Sequence, residues 1–264
     1  MPQFAVDGAE LTYDDEGPRD AEDVPLVFLH GWTANRHRWD HQLAHFSAGR
    51  RVIRLDLRGH GASSGSGAPG IDALARDVVA LLDHLGVDRF VPVGHSMGGM
   101  IAQTLALAHP DRVERLVLVN SISRMTYSRG RGLLMAASTR VPFRLFVAAN
   151  IRRAFAPGHP REEVRKYIRD SSATPREVVM TLYSAMRAFD VLDRVGEIRV
   201  PTLLVHGLHD IQLPVRQMLR MATRYPDAVV RIVDAGHELP VEKPAELTAA
   251  LDRFLTDPAP EATA

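Results

Sequence analysis

The chain has 264 residues, 45% hydrophobic and 24% charged, which is enough apolar material for a large buried core. Lys plus Arg and Asp plus Glu both total 32, a balance that argues for neither a nucleic-acid partner nor a membrane surface. The absence of cysteine excludes disulfides, a thiol nucleophile and thiolate metal sites.

In chain order, residues 2–14 alternate around Asp7-Gly8, a hairpin signal that predicts antiparallel edge strands. The opening stretch has neither the basic start nor the apolar run of a secretory leader, and no apolar run approaches the ~20 residues of a membrane span. The expectation is therefore a cytoplasmic protein. Pro25–His30 is an unbroken apolar strand ending in His30-Gly31-Trp32, and Arg51–Asp56 is another, ending in DLRGHGASSG. Ile71, Leu74, Val78, Leu81, Leu82 and Leu85 recur at helical spacing, with Gly86 as the stop. A strand over Arg89–Val93 leads into Gly94-His95-Ser96-Met97-Gly98, followed by a helix to His109. Further strands are predicted at Arg115–Asn120, Pro201–His206 and Val229–Val233, then a closing helix over Pro244–Leu255 and a frayed tail.

Apolar strands alternating with helices predict an α/β fold with a mostly parallel central sheet covered on both faces. Residues 122–198 interrupt the alternation with helical patterns at Leu133–Arg140, Phe143–Phe155, Arg161–Asp170 and Arg176–Ala188. The expected organisation is a first core segment, 1–121, a helical cap, 122–198, and a second core segment, 199–264.

G-x-S-x-G between a strand and a helix places Ser96 on a sharp turn with its hydroxyl above the sheet edge. A serine needs a base to take its proton, and the base needs a third group to hold its tautomer. Among the 12 histidines, His237 in VDAGHELPVEKP follows the last strand. Asp210 in HGLHDIQLP follows the strand before it. Both lie at strand carboxyl ends, where ligands of parallel sheets sit. Asp210 could instead serve as a helix N-cap. Asn120, at another strand end, cannot ionise. Two backbone N–H groups must hold a developing oxyanion. Met97, after the serine, supplies one and Trp32 is assigned the other. Asp56 and His60 read as loop-locking residues rather than an acid–base pair, and His30 and His95 as buttresses. Trp32 and Trp39 are candidates for pocket walls or for core.

The pieces FLHGW, DLRGHGASSG, GHSMGGM, LLVHGLHD and DAGHELPVEKP, in this order, resemble the α/β-hydrolase superfamily over nearly the whole chain. The resemblance implies an α/β-hydrolase fold with a cap, the order Ser96…Asp210…His237, and no metal or organic cofactor. Ser96 departs from the dehalogenase and epoxide-hydrolase branches, whose nucleophile is aspartate. The pattern is most similar to carboxylesterases, enol-lactonases and cofactor-free haloperoxidases, which implies a small ester or lactone as substrate. Carbon–carbon hydrolysis of a ring-fission diketone, perhydrolysis, and a small-molecule receptor on the same fold are the alternatives. Residues 122–198 carry 13 Arg and one Lys against seven acidic residues, +7 against −7 for the remainder. A solvated helical face is the usual reading of such arginines. The alternative is that one or two grip a substrate carboxylate, giving a weak preference for anionic esters.

Overall fold

The computed structural model describes residues 1–20, 23–65, 70–125 and 142–256. Its strands are β1 Gln3–Val6, β2 Ala9–Glu16, β3 Leu26–Leu29, β4 Val52–Leu55, β5 Val91–His95, β6 Leu116–Val119, β7 Thr202–Gly207 and β8 Ala228–Val233. They form one sheet in the order β1-β2-β4-β3-β5-β6-β7-β8. The β1–β2 and β2–β4 pairings are antiparallel and the rest parallel. Asp7 and Gly8 both adopt positive φ, 40° and 75°, as a tight two-residue hairpin turn requires.

Strands β3 to β7 are buried along their whole length, and their alternate residues feed two different cores. Val27, Leu29, Ile53, Leu55 and Leu118 pack with the helices Ile71–His84 and Met97–Ala108. Leu26, Phe28, Val52, Val93 and Val119 pack on the other face with Leu43 and Phe46 of the helix Asp40–Phe46 and Leu247 and Leu251 of the helix Pro244–Thr256. Burial on both faces is why these strands read as apolar runs rather than as alternating patterns.

After β3 the chain adds β4 on one side, then returns to add β5 on the other, so β3 and β5 are neighbours whose following loops leave in opposite directions. That switch point opens a crevice at the strand carboxyl ends. The loop His30-Gly31-Trp32 and the turn at Ser96 flank it.

Between β6 and β7 lie the helices Phe143–Ala154, Arg161–Ser172 and Arg176–Ala188. Phe146, Val147, Ile151, Phe155 and Val179 give them a core of their own, joined by Val241 from the short helix Leu239–Glu242 after β8. Where this segment leaves and rejoins the sheet, the chain closes on itself: Arg124 bridges Asp190, and the Val191 N–H donates to the Ser123 carbonyl at 2.9 Å. The helix expected over Leu133–Arg140 and the expected frayed tail lie outside the described residues.

Three local expectations differ from the structure. Strand β5 runs to His95, two residues further than predicted, because Gly94 and His95 still pair with Leu29, Leu118 and Val119. Three helices, Asp40–Phe46, Val215–Ala222 and the single turn Leu239–Glu242, are not predicted; the second buries only Met218 and Met221, too few to print a period. Trp39 takes the core role, with no exposure and its ring 4.9 Å from that of Phe28 in a cluster that includes Phe46.

Candidate active site

Ser96 sits between β5 and the helix Met97–Ala108 with φ 53° and ψ −114°, a backbone conformation that L-residues rarely adopt. Glycines make it possible. A Cβ on Gly98 would collide with the Leu29 carbonyl, one on Gly94 with the backbone of Gly98, and one on Gly99 with the Ser121 side chain. The turn is thus pressed against β3 and β6 until only the serine side chain faces the crevice. The Ser96 N–H donates to the Val119 carbonyl at 2.9 Å and its carbonyl accepts from the Ser121 hydroxyl at 2.8 Å, which pins the strained residue from both ends.

The structure brings Ser96, His237 and Asp210 into one chain of hydrogen bonds, although 141 residues separate the serine from the histidine. His237 Nε2 lies 3.0 Å from Ser96 Oγ, and its Nδ1–H donates to Asp210 Oδ2 at 2.7 Å. The carboxylate fixes the tautomer: with the proton on Nδ1, Nε2 is left to accept from the hydroxyl.

Asp210 is held by more than the histidine. Its Oδ2 also accepts from Asn120 Nδ2 at 2.8 Å, and its Oδ1 from the Gln212 and Leu213 N–H groups, each at 2.8 Å. Burial alone would raise this carboxyl. The charge and hydrogen bond of His237, the neighbouring His206 and the Asn120 amide outweigh it and hold the group at about 2. Burial pushes His237 down, but Asp210, with Glu238 and Glu242 behind it, carries it above the ordinary histidine value. His206, 3.6 Å from Asp210, is lowered by burial and donates through Nε2 to the Leu213 carbonyl.

The remaining sequence candidates fall into supporting places. His95, driven to about 4 by burial, donates through Nε2 to the His237 carbonyl at 2.8 Å. His30, also lowered by burial, bridges two loops: Nδ1–H donates to the Gly31 carbonyl, and Nε2 accepts the Leu57 N–H at 2.9 Å. Asp56 accepts the Arg36 and Ala62 N–H groups, and the His60 Nδ1–H donates to the Arg58 carbonyl, so both knit their own loop.

Gly31 passes so close to the serine that a Cβ there would touch the Ser96 Cβ and the His95 ring. This sets the next amide, Trp32, over the site, while Met97 opens its helix on the other side. Among the described residues neither the Trp32 nor the Met97 N–H donates to any protein group. A buried amide without an acceptor is costly, so two at one place are available to an oxygen atom that arrives there.

A cavity of about 490 Å³ opens over Ser96 and His237, walled by Trp32, Phe146, Ile151, Tyr183 and Met186. Trp32 Nε1–H donates to the Val179 carbonyl at 3.0 Å, tying the β3 loop to the helix Arg176–Ala188. The walls are predominantly apolar, with Asn150, Arg153 and Gln212 among the polar residues that line them.

Three supports were not evident from sequence. Asn120 cannot ionise, yet its amide orients Asp210. Arg38 and Glu238 form a buried ion pair at 3.3 Å next to His237, with the Arg38 guanidinium 4.1 Å over the Tyr167 ring. Burial raises Glu238, but Arg38, His95 and His237 bring it below the ordinary value. Glu242 accepts three backbone N–H groups, from Ala156 at 2.8 Å and from Gly236 and Glu238 at 3.1 Å each. The only sequence signal was the placing of Glu238 and Glu242 one and five residues after the histidine. Among the described residues no group of three or more His, Asp or Glu side chains is arranged to hold a metal ion.

Residues 24–244 match the family described as the alpha/beta hydrolase fold. The crystal structure of the enol-lactonase from Burkholderia xenovorans LB400 is similar, with a TM-score of 0.88 and 30% identity over 97% of this chain and 100% of that one. Est816, described as an N-acyl homoserine lactone degrading enzyme, gives 0.84 at 32% identity over 96% of this chain and 100% of that one. The non-heme chloroperoxidase of Streptomyces lividans is 33% identical over 229 residues, 79% of this chain and 81% of the relative.

Proposed function

The chain belongs to the alpha/beta hydrolase family, and from that premise we propose that it cleaves a small carboxylic ester or lactone through an acyl-enzyme on Ser96. The observation that carries this reading is the continuous run Ser96 Oγ–His237–Asp210, at 3.0 and 2.7 Å, beneath an apolar cavity. His237 takes the hydroxyl proton as Ser96 Oγ attacks the carbonyl carbon. The Trp32 and Met97 amides hold the resulting oxyanion. His237 then gives that proton to the departing alkoxide, which in a lactone stays attached to the acyl chain. A water, deprotonated by the same imidazole, attacks the acyl-enzyme and frees the acid and Ser96. Asp210 stays ionised throughout and steadies the imidazolium. The helices between residues 122 and 198 act as the cap, supplying Phe146, Ile151, Tyr183 and Met186 to the cavity wall and with them part of the substrate preference. The likeness to an enol-lactonase and to a lactone-degrading enzyme supports the ester and lactone class.

A panel of p-nitrophenyl esters of rising chain length, beside γ- and δ-lactones, tests the reading on wild type and Ser96→Ala. Turnover by wild type and loss of ~10³-fold or more in a folded Ser96→Ala are expected. Wild-type turnover in the variant overturns the covalent route. A coloured ring-fission dienoate in the same panel tests carbon–carbon hydrolysis. The likeness to a non-heme chloroperoxidase favours a second activity of the same site: hydrogen peroxide replacing water at the acyl-enzyme, giving a peracid and regenerating Ser96. Halogenation of an indicator in acetate, peroxide and bromide reports that peracid.

A further inference from the structure

A second concavity, of about 650 Å³, lies beside the catalytic one, and Arg153 and Ile211 line both. Its walls carry Arg152, Arg153, Arg161 and Arg165 over a floor that includes Phe155 and Ile168. We propose that this groove holds an oxyanion, carboxylate or phosphate, at the far end of a substrate whose ester lies at Ser96. The proposal rests on the serine-hydrolase reading above and adds a charge preference to it.

Four guanidinium groups around one hollow repel one another, and a stable chain normally relieves this with carboxylates. Here none of the four forms an ion pair among the described residues. Two histidines that line the groove do have carboxylate partners: His159 with Glu163 at 3.0 Å and His209 with Asp234 at 2.7 Å. The groove is therefore cationic with its donors unspent. A guanidinium presents a planar fork that matches a carboxylate or phosphate with two parallel hydrogen bonds. The apolar floor suits a methylene chain leading to that anion. Arg153 and Ile211, which line both hollows, set the groove directly beside the cavity that holds Ser96. Solvated arginines on a convex helix face would show neither the hollow nor the shared wall.

The test uses 4-nitrophenyl esters of equal length ending in a carboxylate, a phosphate or a neutral carboxamide, with wild type and the double variant Arg152→Gln/Arg165→Gln. In wild type at low salt, kcat/KM for either anionic ester exceeds that for the carboxamide roughly three- to tenfold, the scale of two exposed charge pairs. The ratio falls to about one in the variant and at high salt. The better of the two anions identifies the terminal group. A wild-type ratio near one, or a ratio the variant leaves unchanged, overturns the groove while the hydrolase reading stands. If no ester is cleaved, thermal stabilisation by free suberate and by octyl phosphate reads the groove without catalysis. A shift in wild type that the variant loses keeps the groove and sinks only the hydrolase; no shift with either anion, or equal shifts in both proteins, overturns the groove.

Discussion

The account makes its sharpest structural demand on Glu242, a residue that touches neither serine nor histidine side chain. One carboxylate there joins the segment 154–156, at the end of the helix Phe143–Ala154, to the loop carrying His237. Oε2 takes the Ala156 and Gly236 N–H groups and Oε1 the Glu238 N–H. Between them the His237 N–H donates to the Ala154 carbonyl at 2.6 Å, and the two segments approach so closely that a Cβ on Gly236 would strike Ala154 and Ala156. Glu242→Ala deprives three amides of their acceptor at once. An unsatisfied buried donor costs about 1–3 kcal/mol, but water reaches this half-buried site. Burial also raises the Glu242 carboxyl above its ordinary value, so its removal relieves some desolvation. The net loss should be about 2–3 kcal/mol, roughly 5–10 °C in Tm. Because the loosened loop carries the base, kcat should fall about 10- to 100-fold, the scale of an ångström-sized misplacement. Glu242→Gln keeps one acceptor oxygen and should lose less than half as much on both counts. Thermal unfolding and steady-state kinetics on p-nitrophenyl acetate read both effects. A Glu242→Ala protein with Tm within 1 °C and kcat within about twofold of wild type would refute the clamp.

Two further predictions concern the base and the turn. His237 must be neutral to accept a proton and its folded value is raised, so the acid limb of kcat/KM should lie above the ~6.5 of a free histidine. Glu238 is one of the charges raising it; the double variant Arg38→Met/Glu238→Gln, which leaves neither partner buried alone, should move that limb to lower pH. An unmoved limb in the pH–rate profile would remove Glu238 from the account. In Gly98→Ala the new methyl meets the Leu29 carbonyl, so the serine turn must shift. Activity should drop at least about 100-fold with a stability loss of roughly 1–3 kcal/mol, read by kinetics beside denaturant unfolding. Near-wild-type activity would show that the close approach is not needed.

The strands were legible because five of them are buried on both faces and leave unbroken apolar runs, and the helix Ile71–His84 because it buries one stripe. Ser96 and Asp210 were legible because each sits directly after such a run, and His237 because it follows the apolar but only half-buried strand β8. The helices Asp40–Phe46 and Val215–Ala222 were not: each is short, with few buried positions. The supports of the site were hidden for another reason. Asn120 acts through an amide 90 residues from its partner, and Arg38 lies 200 residues from Glu238. Contacts of that kind are made by the sheet order and leave no local spacing to read. The cap arginines were visible as a charge excess, but only the fold shows which of them share a hollow.

The central claim is that the Ser96 hydroxyl is the nucleophile, activated by His237. Intact-mass and peptide mass spectrometry after a fluorophosphonate probe tests it most directly. The account predicts one stoichiometric adduct on the peptide bearing Ser96, absent from Ser96→Ala and slowed by orders of magnitude in His237→Ala. No adduct on an ester-cleaving wild type, an adduct on another residue, or equal labelling of His237→Ala would contradict it.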